Sequence, residues 1–190
     1  DIKGCFDNIN HDWLQSNIPM DKRIMKQFLK SGFIYKGKLF PTETGSPQGG
    51  AISSLYANMT LDGLEKVIQD KYHRNSKGNI ENHYRAKTKV NLVRYADDFI
   101  ITANSRETAE ELKLIVSTFL ESRGLMLSEE KTTISHIDEG FDFLGWTFRK
   151  FKGKLIVKPS KSSIKSLIKK CSSIILKEGK ASTQSDLIRR

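Results

Sequence analysis

Residues 92–102 read LVRYADDFIIT, two short runs rich in Val, Ile, Phe and Tyr on either side of the adjacent acids Asp97 and Asp98. Runs of that composition form strands, and two residues between them is the length of a tight hairpin loop. The stretch commits the middle of the chain to an antiparallel pair with two carboxylates at its tip. Such loops favour Asn-Gly or Asp-Gly, because the backbone needs φ > 0, which Gly adopts at little cost. Asp-Asp is a poor turn, and like charges about 4 Å apart repel by about 4 kcal/mol at an effective dielectric near ~20. A divalent cation resolves the conflict. Mg²⁺ uses one or two carboxylates, keeps waters and takes the rest of its shell from substrate phosphates. Two such ions about 3.5–4 Å apart activate an attacking hydroxyl and stabilise a leaving phosphate oxygen. A third acid must bridge the pair, and Asp1 in DIKGCFD is the candidate. Taken alone, the pair also reads as a plain acidic turn.

The chain has 190 residues, enough for one sizeable domain and a piece of another. It begins with Asp1 and runs at once into an apolar-aromatic pattern, so it reads as an excerpt of a longer polypeptide. No apolar run is long enough to cross a membrane, and no signal-peptide pattern is present. Cys5 and Cys171 are too far apart in sequence, and too few, for a disulfide framework or a zinc knuckle. His11, His73, His83 and His136 show no metal-ligand spacing. A reducing, intracellular setting is the expectation. Charge is distributed unevenly: residues 149–190 hold thirteen Lys/Arg against Glu178 and Asp186, a net of +11, while residues 1–148 net −1. A neutral body joined to a basic tail suggests a polyanionic partner; a merely solvated charged helix is the competing reading.

Asp1–Phe6 reads as the end of a strand. A helical stretch opens at NHDWLQSNI, with Asn10 or Asp12 able to cap it, and continues to Gly32. A strand pair, Phe33–Tyr35 and Lys38–Phe40, is expected around Gly37. The Gly-rich ETGSPQGGAISS leads into a helix from Ile52 to Gln69 whose apolar face takes Ile52, Leu55, Met59 and Val67. Residues 70–89 read as a solvated insertion. After the hairpin comes a helix with Asn104 and Glu107 as a capping box, a buried stripe of Leu112, Ile115, Val116, Phe119 and Leu120, and Gly124 as its stop. LMLS, FDFLGWTFRKF and GKLIVKP read as strands. From Ser160 a basic helix is expected, with Ile164, Leu167, Ile168, Ile174 and Ile175 inward. Interleaved strands and helices imply an α+β fold, a sheet layered by helices, with a boundary near Pro159.

Five segments, DIKGCFDNINH, GSPQGGAISSLYANMTLD, RYADDFIIT, GLMLSEEKT and FDFLGW, resemble in order the successive palm motifs of reverse transcriptases, most closely those encoded by group II introns. The resemblance covers residues 1–150. It implies a polymerase-type palm over residues 1–158, with the upstream fingers missing, and the start of a basic helical thumb, or maturase, region over residues 159–190. Asp1 matches the first metal-binding aspartate, and Asp97 and Asp98 match the Tyr-Ala-Asp-Asp pair. Phe6 falls where the family places an aromatic gate against a ribose 2′-OH; its competing reading is a core aromatic. Pro47, Gln48 and Gly49 match the nucleotide-contacting turn, in which Gln48 reaches the incoming sugar or phosphate and Gly49-Gly50 allow close approach of backbone N–H groups. Lys131 matches a lysine able to protonate or neutralise the leaving pyrophosphate. Phe143, Leu144, Gly145 and Trp146 resemble the primer grip. Arg94 reads equally as a support for the active site and as a cross-strand surface residue. The chain departs from the family at Ser53-Ser54, where Pro commonly follows the first Ser, and a small local effect is expected.

The resemblance further implies an RNA-directed DNA polymerase that adds deoxynucleotides to a DNA primer on an RNA template with two Mg²⁺. It implies deoxynucleoside triphosphates and group II intron RNA as partners, no membrane, and a bacterial cytoplasmic ribonucleoprotein. Lys158, Lys161, Lys165 and Lys169 are the expected phosphate contacts, since ammonium groups neutralise phosphates without reading bases. The alternative function is a non-catalytic splicing cofactor that binds intron RNA. A nucleotide cyclase of palm-like fold is a third reading, in which the primer grip and basic extension have no task. The isolated piece, without fingers, is expected to show little activity.

Overall fold

Asn10 caps a helix with its side chain, which accepts a hydrogen bond from Trp13 N and opens α2, His11–Asn17. The computed structural model describes residues 1–46, 52–75, 77–80, 88–178 and 185, which fall into two units, 1–134 and 135–190. That division lies earlier than the change of charge near Pro159. The described residues form helices and small antiparallel sheets, a mixed α and β architecture. Among the described residues three separate sheets stand in place of the single layered sheet expected.

In the first unit the expected opening strand is reduced to one bridge. Ile2 pairs with Leu127, Lys3 N donates to Met126 O and Ser128 N donates to Asp1 O. The chain then turns into the short helix α1, Cys5–Asn8, through a left-handed Gly4. The helical pattern up to Gly32 splits at Pro19 into α2 and α3, Lys22–Leu29, the latter capped by Asp21. The hairpin β1 (Phe33–Tyr35) and β2 (Lys38–Phe40) forms as expected.

The helix expected over 52–69 is two: α4, Ser53–Leu61, and α5, Leu64–Tyr72. Asp62 is extended and Gly63 takes φ +92°, which ends one helix and starts the next. The apolar face is also shifted. Tyr56, Ala57, Leu61, Leu64 and Ile68 are buried, while Leu55 and Val67 are exposed. Tyr56 and Thr60, half-polar residues that hydropathy spacing discounts, fill the inward positions instead.

Strands β3 (Asn91–Tyr95) and β4 (Asp98–Thr102) form the expected hairpin. Helix α6, Arg106–Glu121, is capped by Ser105 rather than Asn104: Ser105 Oγ accepts from Thr108 N. Leu112, Val116, Phe119 and Leu120 are its buried stripe, and Gly124 follows its end at φ +77°. Glu111 ties α6 to α5 through Lys71 and the Tyr72 hydroxyl. Arg123 ties it to α2 and α4. Its guanidinium stacks on Trp13 and Phe119 and donates to Thr60 O. These elements enclose one core that also takes in Ile9, Leu14, Met25, Leu29 and Leu125.

The second unit is a three-stranded antiparallel sheet, β5 (Phe141–Phe143), β6 (Trp146–Phe151) and β7 (Lys154–Pro159), followed by α7, Lys161–Ser173, and a π-helical turn, Ile174–Glu178. Ser160 caps α7 by accepting from Ser163 N. The stripe expected to point inward does not. Ile164, Leu167, Ile168 and Ile175 are exposed, because no described residue of this unit covers them.

Candidate functional site

The carboxylate hairpin differs in detail from the sequence reading. Tyr95 pairs with Asp98, so the two-residue loop is Ala96-Asp97, and Asp98 is already the first residue of β4. Asp97 is half-buried and Asp98 exposed. Ala96 takes φ +53°. A side chain there costs about 1–2 kcal/mol, which Gly would avoid.

Asp1 approaches this hairpin from the paired segments Asp1–Lys3 and Met126–Ser128. After Ser128 the chain tightens, with Lys131 N and Thr132 N both donating to Ser128 O. That turn brings Lys131 Nζ to 2.8 Å from Asp1 Oδ2. Asp98, Lys131 and Asp97 all lie near enough to the Asp1 backbone nitrogen to act on it electrostatically. The Cys5 thiol is pushed up to about 11, first by burial and then by Asp97, with Arg94 opposing and Asp7 adding. Both carboxylates of the hairpin therefore act electrostatically on the segment Asp1–Cys5.

Phe6 lies next to Cys5 and packs, partly buried, against the core. The start of the Gly-rich turn is fastened beside it. Ser46 N donates to Phe6 O at 2.7 Å, Gly45 N to Ile9 O at 2.9 Å and Thr44 Oγ1 to Asp7 O at 3.0 Å. Gly45, with φ +70°, is required here, since a Cβ would stand 2.2 Å from Phe6 O. The sequence reading passed over Gly45; its signal is a Gly directly ahead of the turn motif. Pro47, Gln48, Gly49 and Gly50 lie outside the described residues.

Three carboxylates are the hard oxygen donors that a hard cation takes. Lys131 already sets a cation against Asp1. The three carboxylates do not share one ligand shell: among the described residues no three His, Cys, Asp or Glu side chains are grouped to hold a metal.

In the second unit, Phe143–Trp146 forms the β5–β6 turn, with Leu144 at φ 47° and Gly145 at φ 81°. Gly145 O accepts from Ser160 N and from Ser163 Oγ, so this turn is fixed to the start of α7. Leu144 and Trp146 are exposed, and Phe143 is half-buried. Lys158 on β7 and Lys161, Lys165 and Lys169 on α7 are exposed, and none forms a salt bridge among the described residues. The spacing of four sets the three α7 lysines in a row along the helix.

Residues 1–148 match the family model described as reverse transcriptase (RNA-dependent DNA polymerase). The chain is 33% identical, over an alignment of 203 positions, to the group II intron-encoded protein LtrA of Lactococcus lactis subsp. cremoris, covering 78% of this chain and 34% of that protein. It is 28% identical to protein YkfC of Escherichia coli K12, covering 76% of this chain and 44% of YkfC. It is 27% identical to the putative COX1/OXI3 intron 2 protein of Saccharomyces cerevisiae, covering 77% and 23%. The chain thus spans about a third of LtrA. With the motif segments falling inside the matched region, the chain belongs to the reverse transcriptase family, among the group II intron reverse transcriptases and maturases.

Proposed function

We propose that the chain carries the palm, residues 1–158, and the start of the thumb, residues 159–190, of an RNA-directed DNA polymerase encoded by a group II intron. The observation that carries this reading is the match of residues 1–148 to the reverse transcriptase family model, supported by the Lys131 Nζ–Asp1 Oδ2 contact of 2.8 Å and by the fastening of Ser46 to Phe6. Asp1, Asp97 and Asp98 would hold two Mg²⁺. Bound there, the ions supply activation of a primer 3′-OH and charge neutralisation on the departing phosphate.

The remaining roles belong to this chain's own groups. Lys131 holds a proton on Nζ and offers it, or its charge alone, to the leaving pyrophosphate. Phe6 presents a half-buried ring against the sugar and excludes a 2′-OH. Pro47, Gln48 and Gly49 contact the incoming nucleotide. Phe143–Trp146 steadies the primer end, and Lys158, Lys161, Lys165 and Lys169 neutralise backbone phosphates. The exposed lysines also support a second role in the same protein, sequence-independent grip on intron RNA that assists splicing, in a bacterial cytoplasmic ribonucleoprotein.

The test is extension of a DNA primer on an RNA template by the full-length protein, with Mg²⁺ and with chelator. Extension that requires Mg²⁺ is expected. Intact intron-RNA binding and splicing without any extension would favour the splicing-cofactor reading.

A further inference from the structure

Arg94 stands on β3, three residues before Asp97, and its side chain turns back toward α4. Nη1 donates to Ala96 O at 3.0 Å and to Asn58 Oδ1 at 3.1 Å, and Nη2 reaches Asp62 Oδ1 at 3.3 Å. Asn58 is itself held, its amide donating to Ser54 O at 3.0 Å. One planar guanidinium therefore joins two points on or just after α4 to the carbonyl of the left-handed residue that precedes the acids. A bare hairpin tip would turn with its loop. Here the strained Ala96 is tied to a helix whose residues Tyr56, Ala57 and Leu61 are buried in the core. Helix α4 also follows directly on the Gly-rich turn, so the same contact links the carboxylate tip to the segment leading from that turn.

We propose that Arg94 is a positioning residue for the carboxylate pair: by clamping Ala96 O to Asn58 and Asp62, it fixes the direction in which Asp97 and Asp98 leave the hairpin. The proposal rests on the metal-holding role given to those acids above. The fork geometry matters as much as the charge, because Lys offers one ammonium and cannot bridge three acceptors in a plane. A ligand pair set out of line by even a fraction of an ångström loses rate steeply, whereas binding of template and primer elsewhere is untouched.

The experiment uses the full-length protein with Arg94→Lys, with Asn58→Ala/Asp62→Ala, with the three combined, and with Asp97→Asn. Primer extension gives kcat and KM. Terbium luminescence sensitised by Tyr95, corrected for the Asp97→Asn background, reports metal binding without catalysis. Arg94→Lys and Asn58→Ala/Asp62→Ala are each expected to lower kcat by about tenfold or more, with KM for template–primer within about twofold. Both should weaken terbium binding. The combined variant should lose little beyond either parent, since all three changes break one device. Asp62→Asn, at a side chain 71% exposed, keeps the fold if the larger changes do not and should give a smaller loss of the same kind. The proposal is overturned if Arg94→Lys keeps kcat and terbium affinity, or if the losses simply add. Should Asp97→Asn itself leave extension and terbium binding intact, the metal reading fails first. Loss in Asp97→Asn with none in Arg94→Lys removes the clamp alone.

Discussion

The two units put their polar groups to opposite uses. In the first, charged side chains are paired across elements: Lys131 with Asp1, Arg94 with Asp62, Lys71 with Glu111, and Arg123 laid over two rings. They surround a closed core. In the second, Ser160 is the only buried residue among those described, the apolar residues of β7 and α7 are exposed, and the lysines of α7 have no acidic partner there. A site that must hold atoms to a fraction of an ångström needs groups fixed by one another. A surface that tracks a phosphate backbone needs only unspent positive charge. Under the proposed function the contrast would separate chemistry from grip, and it can be broken at either end.

The largest expected effect is at the carboxylates. Asp97→Asn in the full-length protein should abolish primer extension while intron-RNA affinity stays within about twofold, since the phosphate contacts proposed above lie on other residues. Near-normal polymerisation by this variant would sink the catalytic assignment. The opposite change, Lys161, Lys165 and Lys169 together to Gln, should weaken binding to unrelated RNA sequences. It should also lower the salt dependence by up to about three counterions on a duplex. Melting should change little, as these side chains are exposed. Unaltered affinity and salt slope would make the row a merely solvated face.

Sequence pattern carried most of this. Motif order gave the family, and the hairpin at 33–40 was legible because Gly37 lies between two β-forming triplets. What escaped depended on three-dimensional packing. Helix 52–69 looked continuous because Gly63 is only one weak residue by propensity, yet its φ of +92° breaks the helix. The inward face of α4 was misphased because Tyr56 and Thr60 score as half-polar, whereas Thr60 Oγ1 satisfies itself on Tyr56 O and can be buried. The stripe on α7 was correctly recognised as apolar, but periodicity does not say whether anything covers it. The acid pair was read as the loop; register alone reveals that Asp98 belongs to the strand.

Smaller effects sharpen the comparison. Phe6→Val should raise ribonucleotide over deoxyribonucleotide incorporation by about tenfold, the scale of a few missing carbons in an apolar contact. Unchanged selectivity with a lower melting point would leave Phe6 as packing only. Two glycines with positive φ then contrast the units in stability. At Gly45 an added Cβ meets Phe6 O and the Asp7 carbonyl within 2.2–2.6 Å, and at Gly153 it meets nothing within 4 Å. Gly45→Ala should cost more than about 2 kcal/mol and Gly153→Ala about 1 kcal/mol, the latter being backbone strain alone. Denaturant unfolding of the two variants gives the difference directly. Equal costs would mean that the fastening of the Gly-rich turn to Phe6 contributes nothing.

The smallest effect uses the cysteines, one in each unit. Cys5 is buried, and its thiol is pushed up to about 11, which at pH 8 leaves on the order of a thousandth as thiolate. Cys171 on α7 is exposed. Iodoacetamide at pH 8 should therefore modify one thiol of the native chain, at Cys171, and reach Cys5 only after unfolding. Stability carries the same signature. Between the ordinary thiol value of 9.0 and about 11, the unfolded chain gives up the Cys5 proton while the folded chain retains it. The folded state then binds more protons, so stability falls as pH rises through that window. Because Asp97 is one cause of the raised value, Asp97→Asn in chelator should narrow the window and speed Cys5 modification at pH 9–10 relative to the parent. Peptide mapping of the alkylated sites reads both outcomes. Equal labelling of the two cysteines in the parent would show that the segment from Asp1 to Cys5 is open, and that the fixed geometry attributed to the first unit does not extend to its carboxylate end.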